Sequence, residues 1–191
     1  MIQKREEMKD NRGFSLVELI IVIAIMAILV AVLAPQFLKY VERSRNSADV
    51  ANAKEITNAI SAWAADTKNT GSDQFSASKA AVIKVNGSGI TFDTSVTKSV
   101  KTSAVVSNDA DQAKVVKKAL TEAGLLTGES DATSIKCRSS QNWKSYEIIC
   151  EVDSSGTLYF TYGSFTDSFS GAHSGTDDFA ASFQQKGNVS P

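Results

Sequence analysis

The sequence predicts an α+β protein in which one long amino-terminal helix carries a small head built on an antiparallel β-sheet. Three observations lead there. Residues 19–38 contain no charged side chain, and roughly 20 apolar positions at about 1.5 Å per residue are what a helix needs to cross a bilayer core. The apolar pattern then continues at helical spacing as far as Trp63, with charges largely off the stripe. Beyond residue 80 the pattern shortens into runs of β-favouring residues separated by Gly, Asn, Asp and Ser, the punctuation of strands and turns.

Composition limits the rest. The chain has 191 residues and a formal net charge of -1, with a pI near 5.9, so no global basic field points to nucleic acid as the main partner. Four segments are expected: a leader at 1–13, a membrane-length helix half at 14–38, an amphipathic half at 39–66, and a head at 67–191. The head is long enough for one small domain and too short for two.

The amino-terminal segment carries the most information. Gly13-Phe14-Ser15-Leu16-Val17-Glu18 joins a basic leader to the apolar run, and Glu18 places one carboxylate at its mouth. An acid at the centre of a membrane helix costs about 3 kcal/mol on insertion scales, which makes such a residue a functional candidate whose partner has to be found. A secretory signal peptide fits poorly: its apolar core spans about 7–15 residues and ends at a small-residue cleavage site, whereas Pro35 follows Val32-Leu33-Ala34 directly. A plain signal anchor gives Glu18 no use. Charge leaves orientation open, because Lys4, Arg5, Lys9 and Arg12 precede the segment while Lys39, Arg43 and Arg45 follow it.

At Gly13 to Glu18 the chain resembles the type IV pilin and pseudopilin superfamily, whose prepilins carry a type III signal sequence of glycine, aromatic, serine or threonine, leucine, aliphatic and glutamate before a long apolar helix. The resemblance implies cleavage by a prepilin peptidase between Gly13 and Phe14 and N-methylation of Phe14. It places the leader in the cytoplasm, the precursor in the inner or cytoplasmic membrane as a single-span protein, and the assembled subunit in a cell-surface pilus. It gives Glu18 a role in subunit assembly by pairing with the amine of a neighbouring Phe14. The implied partners are other copies of the chain, the peptidase, and the assembly platform with its ATPase. The pseudopilin branch, serving type II secretion or DNA uptake, and a membrane-anchored binding module of another class are the alternatives.

The elements follow in order. One helix is expected from Phe14 to about Asp66, with Leu38, Val41, Ala48, Ala51, Ile56, Ala59, Ile60 and Trp63 on its apolar stripe and Glu42 and Asp49 off it. Pro35 removes a helical hydrogen bond and is expected to kink it. Residues 67–76 form a polar linker with Asn69, Gly71 and Asp73 as breakers. Residues 80–85 and 90–92 read as two strands around Asn86-Gly87-Ser88-Gly89, a turn rather than a nucleotide loop. Asp109 and Gln112 cap a second helix with Val116, Ala119 and Leu120 on its stripe and Gly124 as terminator. Strands are expected at 134–138, 146–152 and 157–162, with Tyr146, Ile148, Cys150 and Val152 on the face toward the long helix. Residues 163–191, with Phe165, Phe169, Phe179 and Phe183, are expected to wrap the sheet.

No catalytic constellation stands out, so no enzyme activity and no cofactor are expected. His173 sits alone in a Ser- and Gly-rich loop, and Asp153, Asp167, Asp177 and Asp178 lack the ligand spacing of a calcium loop, so no metal is expected. Lys114, Lys117 and Lys118 form a small basic cluster that reads as a solvated helix face, which makes nucleic acid an unlikely partner. The sequons at Asn86 and Asn188 carry little meaning. Cys137 and Cys150 are the two cysteines, and sequence does not fix whether they pair. In an exported head an oxidising compartment permits a disulfide. Many members of the resembled family close a loop this way, and the expectation is a Cys137–Cys150 bond stapling neighbouring strands.

Overall fold

The computed structural model describes residues 13–92, 96–98, 105–107, 109–127 and 135–165. Residues 1–12 of the leader expected at 1–13, and residues 166–191 of the wrap expected at 163–191, lie outside the described residues; residues 163–165 continue the last strand of the sheet. The chain divides into two units, Met1–Val41 and Glu42–Pro191. Helix α1, Leu16–Ala65, supplies residues to both.

In the first unit the large apolar side chains from Leu16 to Tyr40 each leave at least 51% of their surface uncovered. Surface of that kind is stable in lipid or against other helices rather than in water. α1 is the one helix among the described residues that is long and apolar enough to cross a membrane, with a mean hydropathy of 3.2 over its most apolar window and none of that window buried. The helix is continuous through Pro35; the proline ring leaves the carbonyl of Ala31 without its usual helical donor.

The second unit is the α+β head. Its sheet has four antiparallel strands in the order β2-β1-β5-β6, where β1 is Lys79–Asn86, β2 Gly89–Phe92, β5 Ser145–Val152 and β6 Leu158–Phe165. β1 and β2 form the expected hairpin: Asn86 faces Gly89, and Asn86 Oδ1 accepts from the N–H groups of Ser88 and Gly89 at 2.8 and 3.0 Å. The register aligns Phe92, Ile83, Ile148 and Tyr162 across the four strands, with Ala81, Cys150 and Phe160 in a parallel row. These side chains share one face because alternate residues point the same way. They join Val50, Ala53, Ile56 and Ile60 of α1 in the hydrophobic core. Tyr146, Ile148 and Cys150 lie in that core as expected, and Val152 is buried outside it.

β3, Val96–Lys98, and β4, Val105–Ser107, form a separate two-stranded sheet that sequence reading did not anticipate. α2, Ala110–Glu122, is capped by Asp109, whose side chain accepts from Asp111 and Gln112 N–H. Lys79 Nζ lies 3.0 Å from Asp109 Oδ2, and Asp109 N–H donates to the Ala80 carbonyl at 2.9 Å. The cap is therefore also the dock of α2 on β1. At the other end Gly124, at φ 73, lets Leu125 N–H reach the Leu120 carbonyl at 2.8 Å and its own N–H reach that of Thr121 at 3.0 Å. This paired closure is a Schellman motif, and Leu120 and Leu125 both enter the core.

Two expectations need correction. Residues 135–144 are not a strand: Cys137 N–H bonds the Asn86 carbonyl at 3.0 Å, but the chain then turns its following N–H groups toward α1. The buried stripe of α1 is also rotated from the one read by apolarity. It includes Glu42 and Asp49, with Val50 and Ala53 in place of Ala48 and Ala51.

Candidate functional site

The amino-terminal signature is brought together at the start of α1. Ser15 precedes the first helical residue, and Leu19 N–H donates to its carbonyl at 3.2 Å. Glu18 reaches back so that Oε2 accepts from Ser15 N–H at 2.8 Å. In Ser15-Leu16-Val17-Glu18 this is the reach-back half of a capping box, which satisfies a backbone donor that the helix itself leaves open. A carboxylate in the first turn also interacts favourably with the helix dipole. Gly13 and Phe14 lie outside the helix. Phe14 is 94% exposed, and a Cβ added at Gly13 would meet nothing within 4 Å. The bond between them is thus open, while Glu18 Oε1 has no hydrogen-bond partner among the described residues.

A second constellation, missed in the sequence, holds the loop 137–143 to α1. Asp49, with none of its surface exposed, accepts at Oδ1 from Arg138 N–H at 2.7 Å. Its Oδ2 accepts from Ser139 N–H at 2.9 Å, from Trp143 Nε1–H at 2.8 Å and from the Cys137 thiol at 3.5 Å. Two turns earlier Glu42 Oε1 accepts from Ser139 Oγ at 2.6 Å and from the N–H groups of Ser140 and Gln141 at 2.8 and 2.9 Å. Arg45 lies 3.5 Å from Glu42 Oε2 and donates to Ser140 Oγ at 3.1 Å. Burial works against the charge on Glu42, but the Ser139 hydroxyl and the Gln141, Ser140 and Asn142 N–H groups outweigh it, holding the carboxyl down to about 2. Acids at i and i+7 with a Trp indole in need of an acceptor were the available signal.

The expected disulfide is absent: Cys137 and Cys150 are free thiols. Cys137 is tied to Asn86 at the end of β1, whereas Cys150 pairs with Ala81. Five strand residues separate those positions, about 17 Å at 3.3–3.4 Å each, against the roughly 7 Å that a disulfide tolerates between Cα atoms. Burial first, and then the charge of Asp49, pushes the Cys137 thiol up to about 12. Burial alone raises Cys150. Both are therefore poor nucleophiles.

The remaining candidates are not drawn into a site. Lys114 pairs with Asp111 at 3.2 Å, and Lys118 pairs with Asp73, so two lysines of the basic cluster already face carboxylates. Asp153 accepts from the Ser155 and Thr157 N–H groups within its own turn. Among the described residues no three His, Cys, Asp or Glu side chains group as metal ligands. His173, Asp167, Asp177, Asp178 and Asn188 lie outside the described residues.

Comparison with known proteins bears on the amino-terminal segment. Residues 8–34 match the family described as the prokaryotic N-terminal methylation motif. The type IV major pilin protein PilA of Myxococcus xanthus is 48% identical over 46 residues, 24% of this chain and 21% of that protein. The type IV major fimbrial protein FimA of Dichelobacter nodosus is 38% identical over 61 residues, 32% of this chain and 39% of that protein. The chain thus matches well under half the length of these relatives. No solved structure matches it. The family match spans Gly13, Phe14 and Glu18, and the chain carries at its amino terminus the prokaryotic N-terminal methylation motif, followed in sequence by an α+β head.

Proposed function

We propose that this chain is a structural, non-enzymatic subunit of an extracellular type IV pilus, made as a single-span membrane precursor and assembled by helix packing. The observation that carries the reading is the methylation motif at residues 8–34, which opens a helix half with none of its most apolar window covered. A prepilin peptidase would cut between Gly13 and Phe14, which stand outside the helix, and leave an N-methylated amine on Phe14. The platform and its ATPase would then draw the subunit out of the membrane into a surface filament.

Glu18 has a chemical use in that scheme. Its Oε2 is engaged by Ser15 N–H, while Oε1 can accept from the amine of a neighbouring subunit. Two unit charges at 4 Å attract by about 1 kcal/mol in water and about 4 kcal/mol at an effective dielectric near 20. Desolvation consumes much of that gain, so the pair selects register more than it adds stability. Adhesion, motility and aggregation are the uses that such a filament would serve.

Mass spectrometry of protein sheared from the cell surface tests the reading. The expected chain starts at N-methyl-Phe14, and a surface protein retaining Gly13 refutes it. Supplying Glu18→Val as the sole subunit should leave membrane-inserted protein and few filaments. Filaments in wild-type number would remove the pairing role but not the processing.

A further inference from the structure

The end of α1, the turn after it and the β5–β6 hairpin line an open cleft of about 380 Å³, within the roughly 300–1,000 Å³ range of small-molecule pockets. Its walls combine aromatic and aliphatic groups, Trp63, Phe75 and Leu158, with the polar side chains of Asp66, Thr67 and Gln74. The Trp63 ring is anchored through Nε1–H, which donates to the Asp73 carbonyl at 2.9 Å, and the turn beside it is tied by Asn69 Nδ2, which donates to the Trp63 backbone carbonyl at 3.0 Å.

The polar groups are less committed. Asp66 spends Oδ1 on Lys68 N–H at 2.9 Å, which leaves Oδ2, and the side chains of Thr67 and Gln74 make no hydrogen bond among the described residues. A carboxylate oxygen, a hydroxyl and a primary amide beside two ring faces offer acceptors and donors around an apolar platform. No Lys, Arg or His lines the cavity, whereas Asp66 and Asp73 do.

We propose that this cavity binds a neutral sugar, a hexose or N-acetylhexosamine unit, with its C–H face on Trp63 or Phe75 and its hydroxyls bonded to Asp66, Thr67 and Gln74. Asp73 is already paired with Lys118, so the charge that disfavours uronic acids and phosphorylated sugars is that of Asp66, which has no cation beside it in the lining. The inference is independent of polymer assembly, since every residue it uses belongs to the second unit.

The test is a titration of the purified full-length chain in a zwitterionic detergent without a sugar headgroup, followed by tryptophan emission. The probes are free glucose, galactose, mannose, N-acetylglucosamine, N-acetylgalactosamine and glucuronate. Trp143 is sealed at 1% exposure, so a saturating change reports Trp63. At least one neutral sugar should saturate with a Kd of about 1–10 mM, and glucuronate should not. Gln74→Ala and Asp66→Ala, both at exposed positions, should each weaken binding about tenfold by removing one hydrogen bond to the sugar. Thr67→Ala replaces either variant if its unfolding curve shows a damaged fold. The proposal is overturned if no neutral sugar saturates, if glucuronate binds equally well, or if a folded variant binds like wild type.

Discussion

Truncating Asp49 to alanine should cost the head about 3–6 kcal/mol, a large part of the roughly 5–15 kcal/mol that holds a domain together. The figure follows from the donors left behind. Arg138 N–H, Ser139 N–H and Trp143 Nε1–H converge on this one carboxylate at 2.7–2.9 Å. Each buried donor without an acceptor costs about 1–3 kcal/mol, and relaxation or entering water recovers part of the sum. Asp49→Asn should cost less. With its amide oxygen toward Ser139 and Trp143, only Arg138 N–H faces the new NH2 group, and losing one bond to a charged acceptor costs about 1.5–3 kcal/mol.

Urea unfolding of the full-length chain in detergent, followed by tryptophan emission, reads both variants, because the Trp143 indole is itself bound to the substituted residue. Exposed Lys114→Ala serves as the control, expected within about 0.5 kcal/mol of wild type. The order should be alanine, then asparagine, then the control. An Asp49→Ala protein as stable as the control would show that the loop 137–143 is held by the apolar packing of Trp143 alone, and the reasoning from stranded donors would fail.

Three further outcomes follow from the same contacts. Glu42 is held at about 2 in the fold, below its ordinary value of 4.5, so its contribution is present above pH 4.5 and lost as pH falls toward 2; the urea-midpoint gap between wild type and Glu42→Gln should be full at pH 6 and shrink by pH 3, and a gap that widens on acidification contradicts the assignment. Peptide mapping without reduction should find Cys137 and Cys150 free, with iodoacetamide at pH 8 labelling them slowly until the head unfolds; a Cys137–Cys150 cross-link in native protein would overturn the strand geometry. Gly124→Ala should cost about 1 kcal/mol in the same unfolding assay through backbone strain alone, since φ is 73 and nothing lies within 4 Å of the added Cβ; an unchanged stability would show that the Schellman closure has another anchor.

What could be read from the sequence was what local chemistry decides. Asn86-Gly87-Ser88-Gly89 turns because Asn86 bonds its own following N–H groups, and α2 begins at Asp109 and ends at Gly124 for reasons confined to a few neighbouring residues. Long-range competition hid the rest. Ile135 and Cys137 gave residues 134–138 the pattern of a strand, but the loop's N–H groups find better acceptors in Asp49 and Glu42, about 90 residues away in sequence. The stripe on α1 was misplaced for the same reason: a scale that counts acids as exposed cannot see a partner supplied from the far end of the chain. The disulfide was expected from the family resemblance and an oxidising compartment, and the actual register sets Cys150 opposite Ala81 and Phe160 instead. At the amino terminus the order Gly13, Phe14, Glu18 was legible because it is a linear motif, although the bond from Ser15 N–H to Glu18 was not foreseen.

Three acids on α1 meet the problem of a carboxylate near apolar surroundings with the same kind of partner. Glu18, Glu42 and Asp49 each accept from backbone N–H groups that lack a secondary-structure partner: Ser15 at the helix start, and Arg138, Ser139, Ser140 and Gln141 in the loop. Their differences lie in how much capacity is left. Asp49 has two oxygens facing four donors, and Glu42 is similarly engaged by the loop and Arg45, so both are spent on holding the head to its helix. Glu18 commits one oxygen to one N–H. Of the three, it alone sits on the uncovered half of the helix with acceptor capacity to spare, as a residue must if its remaining bond is to be made by another molecule.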